Sequence, residues 1–190
     1  GRPVWALLLE AQREAVARTG KPMPLPWVPP GTWAAWAREA GRPVVDLLLE
    51  AFFADAPWDG ALERAALAEV NRHRAAHGLA PVRLNRYAVL AARAHAVYDV
   101  VHGKRHGHHE VPGTLGFTGE WPSDRARFFG TREAYLGENL HGITGPAAVM
   151  QGFMDSPPHR ANILLNWQPM DIGYAEATAG PFRCAALTMG

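Results

Sequence analysis

Apolar positions recur along this chain first at helical and later at strand spacing. Leu62, Ala66, Leu67 and Val70 fall on one face of a helix that Gly78 should stop. After a short connection at Pro81-Val82-Arg83-Leu84-Asn85, a second helix is predicted through Leu90, Ala91, Ala94, His95 and Tyr98, small and apolar on one face. Near the C-terminus, Asp171-Ile172-Gly173-Tyr174-Ala175 and Arg183 to Met189 read as two short strands separated by a Gly180-Pro181 turn. Helices early and strands late argue for an α+β fold rather than a βαβ array.

The first third carries a direct repeat. Gly1-Arg2-Pro3-Val4-Trp5-Ala6-Leu7-Leu8-Leu9-Glu10-Ala11 returns as Gly41-Arg42-Pro43-Val44-Val45-Asp46-Leu47-Leu48-Leu49-Glu50-Ala51, differing at two positions. Each copy places proline near a helix start, where its missing N–H costs nothing, ahead of a leucine-rich face. The proline-rich stretch Lys21 to Pro30 between them should not be helical. Thr32 offers an N-cap for a short helix through Trp33, Trp36 and Ala40. A period of 40 residues suits a helical array, yet two units fall short of the three such arrays generally need. Residues 1–58 are therefore expected to form a helical extension packed on the main domain, or a partner-binding module, with Trp58-Asp59-Gly60 marking the boundary to 59–190.

At 190 residues and 48% hydrophobic composition the chain can bury a sizeable core without staples. Cys184 is the only cysteine, so no intrachain disulfide can form, and its apolar neighbours point to an inert core thiol. A net charge of +1 supplies no field to recruit nucleic acid or an anionic membrane. No apolar run is long enough for a transmembrane segment, and no signal peptide is visible. The start at Gly1 is compatible with signal cleavage or with trimming.

Candidate chemistry concentrates in three motifs: His109-Glu110-Val111-Pro112-Gly113, Gly137-Glu138-Asn139-Leu140 and Ser156-Pro157-Pro158-His159-Arg160-Ala161-Asn162-Ile163-Leu164. In this order, and with the Val70-Asn71-x-x-Arg74-x-x-x-Gly78-Leu79-x-Pro81 spacing, the Ala94-His95-Ala96 helix and Asp124-Arg125-Ala126, they resemble the CAP superfamily of cysteine-rich secretory proteins, antigen 5 and pathogenesis-related proteins. The bacterial SCP-like extracellular branch fits best. The resemblance covers roughly residues 60 to 190. It implies a three-layer α-β-α sandwich, a secreted or extracytoplasmic location, and a cleft lined by His and acidic residues.

Within that cleft the resemblance brings His109, Glu138 and His159 together as candidate catalytic residues and as ligands for a divalent metal, zinc first, with Ser156 and Asn139 in support. Neutral imidazoles and a carboxylate suit such an ion and leave a position for water or substrate. If Ser156 caps a helix starting at Pro157, its hydroxyl can accept from the His159 amide, and the helix dipole would keep the imidazole neutral. Because Pro158 disfavours helical geometry at Pro157, the alternative is a later helix start without that cap. Glu138 could instead accept backbone N–H bonds and hold a loop, and His159 could be a hydrogen-bonded structural imidazole. His102, His106, His108 and His109 crowd one loop, with His108 the alternative to His109 in the cleft. His73, His77, His95 and His141 read as surface or packing residues.

The leading expectation is a secreted or envelope-associated protein that binds a divalent metal and a small or extended ligand, such as a lipid, peptide or wall component. One alternative is a hydrolase, metal-assisted or built on Ser156 and His159. No Gly-x-Ser-x-Gly elbow surrounds Ser156, and Glu138 cannot serve as ligand and general base at once. A further alternative is an interaction module acting through the N-terminal repeat.

Overall fold

A computed structural model of the chain describes all residues except 20–22, 24–27, 54–57, 104–106, 132–136, 167–169 and 180. Its elements run α1 (Val4–Thr19), α2 (Pro30–Ala40), α3 (Val44–Phe53), α4 (Ala61–Ala76), β1 (Arg83–Leu84), α5 (Arg86–Val101), α6 (Pro122–Phe129), β2 (Gly137–His141), α7 (Pro146–Asp155), α8 (Pro157–Ile163), β3 (Asp171–Ala179) and β4 (Phe182–Met189).

Both repeat copies start a helix at their fourth residue, Val4 and Val44, one position after the proline. The expected Thr32 cap is corrected: α2 begins at Pro30, because the Pro29 carbonyl already accepts from the Thr32 and Trp33 amides at 2.9 and 3.3 Å. Of the stretch from Lys21 to Pro30, residues 21, 22 and 24–27 lie outside the described residues, as does Gly180 of the expected turn.

Helix α4 ends where Gly78 takes a left-handed φ of 69°. Asn71 and Arg74 owe their spacing to this region. The Asn71 amide side chain donates to the Val82 carbonyl at 3.1 Å and accepts from its amide at 2.8 Å, standing in for a strand neighbour. The buried Arg74 guanidinium donates to the carbonyls of Ala80, Ile163 and Leu165, each at 2.8 Å, and so ties the end of α4 to the end of α8. Asn85 caps α5 by accepting from the Tyr87 and Ala88 amides.

The four strands form one sheet in the order β1-β3-β4-β2. Strands β3 and β4 were readable from their apolar runs, and β3 continues four residues beyond Ala175. Strands β1 and β2 were not: β1 has two residues, too few for any period, and pairs parallel with β3 through Arg83↔Asp171 and Leu84↔Ile172. β2 lies antiparallel to β4, with Glu138 opposite Thr188 and Asn139 opposite Leu187.

Alternation along β3 and β4 separates the two faces. Ile172, Tyr174, Ala185, Leu187 and Met189 pack with Ala66 and Val70 of α4, Val149, Met150 and Phe153 of α7 and Ile163 of α8. On the opposite face Ala175, Cys184 and Ala186 meet Ala92, Ala96 and Val100 of α5, and Cys184 is the buried core thiol the sequence suggested. The three layers are thus α4/α7/α8, the sheet, and α5. Helices α1 to α3 are joined to this body by a shared apolar cluster in which Leu9, Trp33, Ala37, Leu47, Leu48 and Ala51 contact Val89, Leu90 and Ala94 of α5 and Phe129 of α6.

Candidate functional site: a buried charge quartet beneath two histidines

Four ionisable side chains meet on the α5 side of β2, all of them buried: His95 from α5, Glu110 from the loop after it, Arg125 from α6 and Glu138 from β2. One terminal nitrogen of Arg125 donates to both oxygens of Glu138 at 2.8 Å, and the other donates to the carbonyls of His108 and Gly119 at 3.1 and 3.4 Å. Arg125 Nε stands 3.6 Å from Glu110 Oε1. His95 Nδ1 lies 2.9 Å from Glu110 Oε1, while Nε2 lies 2.8 Å from the Gly107 carbonyl and 3.6 Å from Glu138 Oε1. A carbonyl can only accept, so His95 Nε2 carries a hydrogen. The other oxygen of Glu110 accepts from the Thr118 amide at 2.7 Å, the Thr118 hydroxyl at 3.2 Å and the Gly119 amide at 3.3 Å.

The guanidinium, amide and hydroxyl contacts to Glu110 and Glu138 all come from donors, which is the arrangement that makes burial of carboxylates tolerable. Burial pushes the Glu138 carboxyl upward, but His95, Arg125 and the hydrogen bonds from His108 and Arg125 outweigh it and hold the pKa at about 2. Since this lies below the ordinary value of 4.5, the stabilisation is complete above about pH 4.5 and is lost as pH falls through 2. The stability gap between the wild type and Glu138→Gln should therefore shrink by about 3 kcal/mol between pH 6 and pH 2. Urea unfolding of the two proteins across that range measures it, and a pH-independent gap would contradict the pairing.

His108 sits on the solvent side of the quartet. Its Nδ1 is 3.0 Å from Glu138 Oε1, and its side chain is 44% exposed. The structure does not bring His109 to Glu138. With the His108 carbonyl and ring both fixed, the next side chain turns outward, where His109 Nε2 meets Glu120 Oε1 at 3.1 Å and the ring stands edge-on to Trp121. His108 is thus the imidazole that reaches Glu138, in place of His109. Of the remaining loop histidines, His102 bonds to the Leu115 carbonyl and His106 lies outside the described residues.

His159 projects from α8, its ring edge-on to Phe153 at 5.4 Å between centroids. Burial first, then the nearby His108 and His141, lower its pKa, so the ring stays neutral at pH 7. The helix does start at Pro157 with Ser156 in the N-cap position, but the Ser156 hydroxyl makes no capping bond; its carbonyl instead accepts from the Arg160 amide at 2.8 Å. Asn139 has a structural part, donating to the His159 carbonyl at 2.9 Å and accepting from Asn162 at 2.8 Å, which fixes α8 to β2.

The sequence reading missed His95, Glu110 and Arg125 as members of the site. His95 lies in a small apolar helix face that reads as packing, and no local spacing links it to a carboxylate 15 or more residues away.

The structure does not gather His109 with Glu138 and His159. Both Glu138 oxygens are held by Arg125, and His109 is turned away. Among the described residues no group of three or more His, Cys, Asp or Glu side chains is placed to hold an ion.

The α-β-α sandwich defines a class of protein, and the family comparison agrees. The profile of the cysteine-rich secretory protein family, CAP, matches residues 67–167, and the chain belongs to that family. Among solved structures, an outer surface protein of Borrelia burgdorferi is similar at 16% identity and a TM-score of 0.53, over 67% of this chain and 90% of that one. An extracellular protein containing an SCP domain from Bacillus anthracis is similar at 18% identity and a TM-score of 0.49, over 75% of this chain and 43% of that one. No curated protein matches the sequence.

Proposed function

We propose that this chain is an extracytoplasmic, non-catalytic binding protein that presents His108 and His159 to a small or extended ligand above a rigid, charge-balanced floor. The observation that carries this reading is the commitment of Glu138: a carboxylate held on both oxygens by a buried guanidinium cannot accept a proton from water or substrate without breaking its own support. Hydrolysis therefore has no general base at this point of the cleft. The serine route is equally bare, since Ser156 has no imidazole bonded to it among the described residues. The location is supported by membership of a secretory protein family and by the likeness to an outer surface protein, and no helix among the described residues is long and apolar enough to cross a membrane. Screens with casein and ester substrates, with and without chelator, should be silent; turnover that disappears in His159→Ala would overturn the reading.

A second reading, zinc uptake by the two imidazoles, is supported by the lowered pKa of His159, to which burial and then the charge of His108 contribute. In it His108 and His159 hold the ion with water, and Glu138 stays with Arg125. Calorimetric titration with zinc should then give heats that are abolished in His108→Ala and in His159→Ala and kept in His109→Ala. Loss of heat in His109→Ala alone would return the site to the arrangement expected from the sequence.

A further inference from the structure

The two repeat copies differ at two positions and share one local structure, but their surroundings differ. In each, the second residue reaches the tenth across the helix start: Arg2 to Glu10 Oε2 and Arg42 to Glu50 Oε2, both at 2.7 Å. Any difference in burial between equivalent residues therefore comes from what lies against them. In the second copy Leu47 is 0% exposed, Ala51 is buried, and Glu50 is 8% exposed and also accepts, on Oε1, from Arg13 of α1. In the first copy Leu7 is 47% exposed, the side chain of Glu10 is 46% exposed, and among the described residues Glu10 accepts only from Arg2. Val4 is exposed, but so is its equivalent Val44, and the contrast rests on Leu7 and Glu10.

Helix α1 thus shows outward a surface that this same sequence buries when an α1 helix lies beside it. We propose that the Leu7/Glu10 face of α1 docks a further unit of this 40-residue repeat, carried on a partner protein. Its α1-type helix would lie against α1 as α1 lies against α3, offering to Glu10 the arginine that Arg13 offers to Glu50. Stacked helical repeats bury their faces on their neighbours.

The probe is a peptide with the sequence of residues 1–40, titrated onto the full chain by calorimetry. Saturable binding is expected, weakened at least about tenfold in a chain carrying Leu7→Glu or Glu10→Gln, both changes at exposed positions whose fold can be checked by circular dichroism. A second measurement covers a peptide that does not fold by itself. Placing the same 40 residues ahead of Gly1 gives the added arginine a 37-residue separation from Glu10, the separation of Arg13 from Glu50. In that tethered chain Leu7→Glu should lower the thermal midpoint by more than it does in the natural chain. Equal effects in the two, with no peptide binding, would overturn the proposal. Coupling only in the tethered form would overturn the separate partner and place the unit in the same polypeptide. Concentration-dependent self-association abolished by Leu7→Glu would overturn it in favour of a second copy of this chain.

Discussion

Arg125→Ala should destabilise the protein by about 3–5 kcal/mol, the range expected when one member of a buried ion pair is removed and its partner stays. The reason lies in how much depends on one guanidinium. It faces Glu138 and Glu110 and also donates to the carbonyls of His108 and Gly119, so its loss leaves two buried carboxylates without their guanidinium. Glu138→Gln in the same chain removes one stranded charge and should restore part of the loss. The coupling in a double-mutant cycle, measured by urea unfolding, should be well above 1 kcal/mol. Additive effects would mean that the pair does not interact in the folded state. Loosening of the loop that presents His108 should accompany the loss, because Arg125 holds that residue's carbonyl.

Gly173→Ala is the other change expected to be severe. A Cβ at this position of β3 would overlap the backbone carbonyl of Ala88 and the amide of Val89, so relief has to come from moving α5 off the sheet. Adding atoms to a packed core ordinarily costs about 1–3 kcal/mol, and a collision with backbone belongs at or beyond the top of that range. Helix α5 also carries His95, so displacement would disturb the charge quartet along with the small-residue packing of Ala92 and Ala96 on Ala175 and Ala186. Loss of soluble protein, or a midpoint in urea far below the wild type, is the expected outcome. Unchanged stability would show that α5 does not lie against β3 this closely.

Much of the scaffold was legible because it is periodic. The apolar face of α4, the small face of α5, the apolar runs of β3 and β4 and the repeated helix start at Val4 and Val44 all follow from spacing within a few residues. Strand β1 escaped because two residues have no period, and β2 because Gly137-Glu138-Asn139-Leu140-His141 sends a carboxylate to one face and an amide to the other, a pattern unlike an apolar strand. Motif resemblance put forward His109, Glu138 and His159, with His108 as the alternative to His109, and the histidine found beside Glu138 is His108. That choice is made by Arg125, which fixes the His108 carbonyl from a different helix. An acid and its counter-ion drawn from β2, α5 and α6 leave no mark on local sequence, and so the network that sets the role of Glu138 became visible only with the fold.

The most direct measurement is the thermal midpoint of Glu138→Gln against the wild type, both in excess chelator. If protein cations hold this carboxylate, the variant should melt roughly 10 °C lower with no metal present, given about 3 kcal/mol and the usual dependence for a chain of this size. Equal midpoints in chelator, separating only when zinc is restored, would contradict the buried quartet and make Glu138 a metal ligand after all.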